Sequence, residues 1–140
     1  MLSAGDGGIH IGNHVHIAVM GVILGKARID LEDFANISGR VSIYSSTDDF
    51  SGEFMTNPTV PAVYTNVSSS PVRIGRHAIV GAGSVLLPGT ILGAGAAVGA
   101  LSLVRGVLDE FTLYGGIPAV RIRGRSRGLL AREAAFLRGA

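Results

Sequence analysis

Four histidines are the side chains of this sequence best suited to exchanging a proton near neutral pH, because the pKa of imidazole lies close to neutrality: His10, His14, His16 and His77. Two adjacent carboxylates, Asp48 and Asp49, open a long polar stretch, although Asp is also a common first residue of turns. The chain contains no cysteine and no serine in a nucleophile-elbow motif. These groups therefore favour general base catalysis over a covalent enzyme intermediate.

The three N-terminal histidines could also suggest a metal site. His10, His14 and His16 would share one side of an alternating strand, but no cysteine or paired carboxylate completes a ligand set. His77 stands at an exposed position of its hexad and is interpreted as a surface residue. We therefore expect no metal site.

The strongest pattern in the chain is a six-residue repeat in residues 74–104. An aliphatic residue opens every hexad, glycine follows it in four of the five full hexads, and Ala, Ser or Thr fills every fifth place. Neither the helical period of 3.6 residues nor simple strand alternation predicts this spacing. The pattern indicates a chain wound around a triangular prism, with one short strand on each face and three hexads in each coil. The aliphatic residue should point inward, and the small fifth residue should fit the crowded turn between two faces.

The repeat extends towards the N-terminus but is interrupted twice. It already runs from Ile11 and slips by two residues at Ile29-Asp30. Residues 1–8 are small, polar and rich in glycine, and we expect them to be frayed. The hexads stop in residues 45–70, a polar stretch that is too long for a simple connection. Its aromatic residues favour an ordered loop that is extruded from the prism and folds over a neighbour: Phe50, Phe54 and Tyr64.

The C-terminal pattern is helical. In residues 126–139, apolar residues recur at helical spacing among charged ones, and Gly139 follows. We expect this helix to cover the last coil and hide its open strand edges. The whole chain, residues 1–140, is interpreted as a single domain of the all-β solenoid class.

Composition excludes several classes of protein. A hydrophobic content of 47% with 16% charged residues excludes a disordered chain. No apolar run is long enough for a membrane span and no secretory signal is recognisable, so the sequence predicts a cytoplasmic protein. Half of the basic residues are arginines after position 120. Because few aromatic residues accompany them, they indicate a phosphate-bearing cofactor and not nucleic acid.

The repeat resembles the left-handed parallel β-helix acyltransferases built from hexapeptide repeats, of the galactoside and sugar O-acetyltransferase type. The resemblance is carried by the hexads of 74–104, by Leu86-Leu-Pro-Gly-Thr-Ile and by the closing motif Tyr114-Gly-Gly-Ile-Pro-Ala. It covers residues 9–123. It implies acetyl-CoA as cofactor, a sugar or nucleotide-sugar acceptor, a homotrimer with active sites between subunits, and a role in surface polysaccharide or O-antigen synthesis. Relatives carry an additional N-terminal segment.

The resemblance also points to a base, and here the chain departs from the family. The family places a histidine just after the run that matches Ile43-Tyr-Ser-Ser-Thr, where this chain has Asp48. Three alternatives follow: Asp48 or Asp49 is the base, a histidine from a neighbouring coil replaces it, or activity is lost. His16 is the preferred substitute, because one shortened coil would place it along the same edge as Asp48. A carboxylate there would orient the imidazole and raise its basicity.

The cofactor residues implied by the resemblance lie later in the chain. Ala82 and Ala100 stand where small residues let the pantetheine arm approach the backbone, and Ser102 is an additional contact. Arg105 and Arg123 stand where basic residues meet the phosphates of the coenzyme, although Gly106 replaces a common lysine. Tight packing at turns would explain both alanines equally well.

The sequence thus predicts an acetyl-CoA-dependent acetyltransferase acting on a sugar hydroxyl or amino group. In this scheme, His16 or Asp48 deprotonates the acceptor, which attacks the thioester directly. Two alternatives remain open. One is a structural hexapeptide protein without catalysis, and the other is a zinc β-helix enzyme of the carbonic anhydrase type.

Overall fold

The computed structural model describes residues 1–139, which wind into a parallel β-solenoid with three faces. Face A contains β1 (Leu2–Ala4), β4 (Val22–Gly25), β7 (Ser42–Tyr44), β12 (Val85–Leu86) and β15 (Leu103–Val104). Face B contains β2 (Ile9–Ile11), β5 (Ile29–Leu31), β10 (Val72–Ile74), β13 (Ile91–Leu92) and β16 (Val107–Leu108). Face C contains β3 (His16–Ile17), β6 (Asn36–Ile37), β11 (Ile79–Val80), β14 (Ala97–Val98), β17 (Thr112–Gly116) and the antiparallel β18 (Ala119–Gly124).

The core consists of the residues that open the hexads. All six of them between positions 74 and 104 are at most 3% exposed: Ile74, Val80, Leu86, Leu92, Val98 and Val104. The small residues at the fifth places are equally buried: Ala78, Ser84, Thr90, Ala96 and Ser102. The predicted prism and the assignment of its inward and corner positions are therefore confirmed.

Coil length explains the two-residue slip in the repeat. Ile23 pairs with Ile43, 20 residues later, whereas Leu86 pairs with Val104 after 18 residues. The longer coil contains two buried residues on face B, Ile29 and Leu31, in place of one. The slip is thus a local extension at the corner between faces A and B.

Each corner is a column of turn residues, one from each coil. We call the corners AB, BC and CA after the faces that they join. At the BC corner, the left-handed backbone region is occupied in successive coils by His14, Phe34, His77, Gly95 and Phe111. At the CA corner, Met20, Arg40, Gly83, Leu101 and Gly116 occupy the same region. A Cβ at position 83 would lie 2.7 Å from Cδ2 of Leu101, so a larger residue there would have to displace that exposed side chain.

The N-terminal residues are not frayed, contrary to the prediction. Leu2–Ala4 forms the first strand of face A and pairs in register with Ile23, Leu24 and Gly25. The main-chain amide of Ile23 also donates to the carbonyl oxygen of Met1 at 2.9 Å. The small polar residues led us to expect fraying, but backbone pairing along a strand does not depend on side-chain size.

The loop in residues 45–70 is extruded at the AB corner, as predicted. Its neck is the antiparallel pair β8 (Ser46–Thr47) and β9 (Ser68–Ser69), and a single 3₁₀ turn spans Ala62–Tyr64. The aromatic side chains of the loop are exposed in the single chain: Phe50 is 92% exposed, Tyr64 57% and Phe54 47%. An ordered loop thus presents apolar side chains to its surroundings.

The C-terminal helix does not cover the last coil, so that expectation was wrong. Helix α1 (Leu129–Leu137) is shorter than the predicted 126–139 and lies along the BC corner. Phe136 contacts His14 and Phe34 in the first two coils, and Glu133 contacts His77 in the third. The last strand edge on face C is instead paired with β18. No helix within residues 1–139 has the length and apolar character needed to cross a membrane.

Candidate functional site

The CA corner forms a groove with a floor of small residues. The Leu101 amide donates to the carbonyl oxygen of Ala82 at 2.9 Å, and the Gly83 amide donates to that of Gly39 at 3.0 Å. Ala82 and Ala100 are therefore one coil apart in the same column. Both are exposed, so tight packing does not explain their small side chains. An exposed alanine column leaves the backbone open to a long, flexible ligand.

Apolar side chains wall this groove. A cavity of about 260 Å³ lies beside the alanine column. Leu101 and Ile117 line it and are 70% and 74% exposed. Ser102 also lines the cavity, but its hydroxyl donates to the Gly99 carbonyl at 2.8 Å and accepts from the Gly116 amide at 3.1 Å. Ser102 therefore fixes the last coil and offers little free hydrogen-bonding capacity.

A polar row on face C leads to the CA corner. His16 Nδ1 lies 2.9 Å from Asn36 Oδ1 in the next coil. Ile37 is buried, so the residues on either side of it, Asn36 and Ser38, point to the outer surface. Ser38 immediately precedes Gly39 in the alanine column. His16, Asn36 and Ser38 are thus neighbours on the outer side of face C, at the edge of the groove.

Asp48 and Asp49 lie at the AB corner, just beyond the neck of the loop. Asp49 Oδ2 accepts a hydrogen bond from the Ser51 hydroxyl at 2.6 Å, which is the arrangement of a turn. Asp48 is exposed, and its carboxylate contacts no donor among residues 1–139. Asp48 is therefore the aspartate that is free to meet a ligand.

The AB corner also contains Arg105. Its side chain lines a cavity of about 430 Å³ together with Thr47, Ser68, Ser69, Ser70, Leu87 and Pro88. Arg123 is distant from it, because it lies on β18 opposite Leu113. The structure therefore divides the predicted residues. Ala82, Ala100 and Ser102 lie together, Asp48, Asp49 and Arg105 lie at another corner, and His16 and Arg123 lie on face C.

The histidines do not form a metal site in the part of the chain that the structure describes. His10 approaches the carbonyl of Gly7 at 3.3 Å, and His14 stacks on Phe34 with ring centroids 5.0 Å apart. His16 contacts Asn36. No group of three or more His, Cys, Asp or Glu side chains within residues 1–139 could hold a metal ion.

His77 is not a surface residue, contrary to the prediction. Its ring stacks on Phe34 at 4.8 Å, and its Nε2 lies 2.6 Å from Glu133 Oε2 on α1. Burial, reinforced by the neighbouring guanidinium of Arg76, lowers the pKa of the His77 imidazole. His77 thus joins α1 to the solenoid.

Comparison with known proteins identifies the family. No protein-family model matches the chain. The chain is 52% identical over 136 residues to a dTDP-4-amino-4,6-dideoxy-D-glucose acyltransferase of Escherichia coli, covering 97% of this chain and 71% of that protein. It is 32% identical to WbbJ of Escherichia coli K12, described as a lipopolysaccharide biosynthesis O-acetyl transferase, with 84% and 72% of the two chains covered.

A solved structure supports the same relationship. AntD, an N-acyltransferase from Bacillus cereus, superposes with a TM-score of 0.93 at 38% identity, covering 99% of this chain and 73% of AntD. That AntD crystal contained dTDP-4-amino-4,6-dideoxyglucose and coenzyme A, and another contained dTDP and 3-hydroxybutyryl-CoA. Crystallised variants of AntD alter one serine and one aspartate ten positions after it. The expected cofactor agrees with these ligands.

The sequence similarity and the structural superposition each cover nearly the whole chain. The chain belongs to the family of acyl-coenzyme A-dependent sugar acyltransferases.

Proposed function

We propose that this protein transfers an acyl group from acyl-CoA to the amino group of a nucleotide-linked 4-amino-4,6-dideoxyhexose. The observation that carries this proposal is the 52% identity over 97% of the chain to an acyltransferase for such a sugar. AntD, also an N-acyltransferase, superposes on 99% of the chain. The amine is therefore favoured over the hydroxyl that WbbJ indicates. As for WbbJ, the product would enter surface polysaccharide synthesis.

Ser38 and Asp48 are proposed to act on the acceptor. Of the six aspartates in this chain, Asp48 alone has a serine ten positions before it, and this is the spacing of the two residues varied in AntD. Asp48 has a carboxylate free to accept a proton from the attacking amine. Ser38 has a hydroxyl at the edge of the alanine groove that can hold the acceptor in line with the thioester. Its backbone is fixed, because its amide donates to the Val80 carbonyl at 3.0 Å.

The groove at the CA corner fits the pantetheine arm of coenzyme A. The exposed Ala82 and Ala100 leave an unobstructed floor, and Leu101 and Ile117 supply apolar walls. When bound there, acetyl-CoA or a longer acyl-CoA supplies the activated acyl group. The protein's own part is to orient the acceptor and to remove its proton. Arg123 is proposed to contact the coenzyme phosphates.

A homotrimer is proposed because Ser38 and Asp48 lie far apart within a single chain. The two residues lie before and after β7, at opposite corners of face A. An extended strand adds roughly 3.3 Å per residue, so they do not meet on one sugar within a single chain. Packing the CA corner of one copy against the AB corner of the next would bring the two residues together.

The absence of cysteine fits a reducing compartment, and we therefore propose that the reaction takes place in the cytoplasm.

His16 is a second candidate for the base. Asn36 Oδ1 accepts the Nδ1 proton of His16, which leaves Nε2 free to take a proton from the acceptor. This imidazole lies beside Ser38 on the same surface. The choice between His16 and Asp48 is therefore a choice between an imidazole oriented by Asn36 and a carboxylate without a partner in residues 1–139, and substitution of each distinguishes them.

The proposal is tested by measuring the release of free coenzyme A with a thiol reagent. We expect release when acetyl-CoA is mixed with dTDP-4-amino-4,6-dideoxyglucose, and only background hydrolysis with the corresponding 4-hydroxy sugar nucleotide. A longer donor such as 3-hydroxybutyryl-CoA measures the preference for the acyl group. Background rates with both acceptors and every donor would reject the proposal.

A further inference from the structure

The neck of the extruded loop borders a cavity to which the proposed acyl transfer assigns no role. We call it the neck pocket and define it by its lining: Thr47, Ser68, Ser69, Ser70, Leu87, Pro88 and Arg105. Its volume is about 430 Å³. The antiparallel register places Thr47 opposite Ser68, so hydroxyl groups from both strands of the neck face one space.

The chemistry of the lining suits an anion. Four hydroxyl-bearing residues and one arginine are among the lining residues, together with the apolar Leu87 and Pro88, and no lining residue carries a carboxylate. Ser69 shares a hydrogen bond with Ser46 at 3.0 Å. The hydroxyls of Ser68 and Ser70 and the guanidinium of Arg105 contact no hydrogen-bonding or charged side chain elsewhere in residues 1–139. Arginine matches phosphate oxygens through its fork of donors, and hydroxyls add further hydrogen bonds.

Arg105 differs in this respect from three other arginines on the solenoid. Arg28 is paired with Asp30, Arg73 with Glu32, and Arg76 with Asp33. Those cations are neutralised on the surface by carboxylates of the same chain. Within residues 1–139 Arg105 has no such neighbour, and it therefore offers its charge to a ligand in the neck pocket.

The position of the pocket decides which phosphate it receives. Thr47 lines the pocket and is followed directly by Asp48, the proposed base. Both substrates carry a diphosphate, but the pantetheine arm separates that of coenzyme A from its thioester by the full length of the arm. In a nucleotide sugar, the diphosphate is bonded to C1 of the sugar that reacts. A phosphate subsite beside the base is thus compatible with the acceptor and incompatible with the coenzyme.

We infer that the neck pocket binds the diphosphate of the nucleotide-linked acceptor, through Arg105 and the hydroxyls of Ser68 and Ser70. The inference rests on the proposed function, and it reassigns Arg105 from the coenzyme to the acceptor. The sugar would then extend from the pocket past Asp48 towards the thioester. The pocket would recognise the diphosphate and leave the choice of sugar to other residues.

The test compares the binding of dTDP with that of thymidine, which lacks the diphosphate. Calorimetry on the full chain is expected to show that Arg105→Met weakens dTDP binding about tenfold or more, the usual loss for a charge-assisted contact, and leaves thymidine binding unchanged. Ser70→Ala should weaken dTDP binding by a smaller factor. Arg132→Met removes the same charge from the exposed surface of α1 and should change neither affinity. Thermal unfolding confirms that each variant is folded.

Kinetics separate the two sources of phosphate. With the nucleotide sugar as acceptor, Arg105→Met should raise the KM for the acceptor about tenfold and leave the KM for acetyl-CoA within about twofold. A rise in the KM for acetyl-CoA alone would assign the pocket to the coenzyme and overturn the inference. Unchanged dTDP affinity in the variant would also overturn it, while wild-type turnover of the nucleotide sugar would show that the proposed function still stands.

Discussion

At the scale of single residues, exposure separates functional positions from structural ones. Ala82 and Ala100 match a family pattern that packing could also explain, but both are exposed at the CA corner. Ser102 matches the same pattern and is buried with its hydroxyl engaged. Asp48 and Asp49 differ similarly, since only Asp49 is held in a turn. The sequence predicts candidate types and spacing, whereas hydrogen bonding determines which candidates are free.

The neighbouring aspartates provide a matched pair for testing the base. We expect Asp48→Asn to lower kcat by a factor of about 10² to 10⁴, the usual range for the loss of a general base. Asp49→Asn should change kcat by less than about threefold, because the Asp49 carboxylate accepts a hydrogen bond from Ser51 within a turn. Steady-state rates with saturating nucleotide sugar measure both effects. A near-normal rate in Asp48→Asn, with a loss of two orders of magnitude in His16→Ala, would transfer the role of base to His16.

Ser38 and Asn36 show why part of the site could not be predicted. Both follow the ordinary hexad pattern around Ile37, and neither stands at a position that periodicity marks. Only the register of face C places Asn36 beside His16 in the preceding coil. Residues 20 positions apart become neighbours because the early coils contain 20 residues, and no local pattern reveals which coil length applies to a given side chain.

At the scale of elements, the hexads fix the solenoid but not what packs on its outside. Each inward position from Ile74 to Val104 follows from the repeat, since a triangular coil has one interior. The C-terminal segment is recognisable as a helix from its apolar spacing. Its location is set by the stacked rings of His14, Phe34 and His77 at the BC corner. The sequence does not predict this stack, because the three residues are separated by unequal intervals. The helix therefore lies along the BC corner and not over the end of the solenoid, where β18 pairs with the last strand of face C.

The contact between α1 and this stack should make stability depend on pH. The pKa of His77 is lowered by burial and by Arg76, so the unfolded chain binds the proton more tightly than the folded one. Stability should therefore fall as the pH drops below about 6.5, the ordinary pKa of histidine. The groups facing the ring are Arg76, Glu133 and the stacked Phe34.

Urea unfolding at pH 7.5 and pH 5.5 measures this dependence. His77→Phe retains an aromatic ring on Phe34 but cannot titrate, so its loss of stability between the two pH values should be smaller than that of the wild type. The other three histidines are common to both proteins and serve as an internal control. Equal losses in the two proteins would show that His77 does not contribute to the pH dependence.

At the scale of the whole molecule, large apolar side chains remain exposed. Phe50 and Val63 on the loop are 92% and 78% exposed, and Leu101 and Ile117 at the CA corner are 70% and 74% exposed. Exposed apolar groups at two distant corners match the proposed packing of one copy against the next. The extruded loop could be predicted from the interrupted repeat, but the partner of its aromatic residues could not, because that partner lies outside the chain.

Complementation between inactive variants tests whether two copies build one site. If Ser38 of one chain and Asp48 of another act together, mixing Ser38→Ala with Asp48→Asn chains and reassembling them should restore activity. Random association in a closed trimer predicts about a quarter of the wild-type activity, because both intact residues meet at one site in four. Activity no greater than that of the separate variants would show that both residues serve the same chain.

The most direct test of the account is the chemical identity of the product. The purified chain should convert dTDP-4-amino-4,6-dideoxyglucose and acetyl-CoA into free coenzyme A and a nucleotide sugar that carries one acetyl group. Mass spectrometry establishes the added mass, and nuclear magnetic resonance should show an amide at the 4-position. An acetyl ester on a sugar hydroxyl, or no acetylated nucleotide sugar at all, would contradict the account.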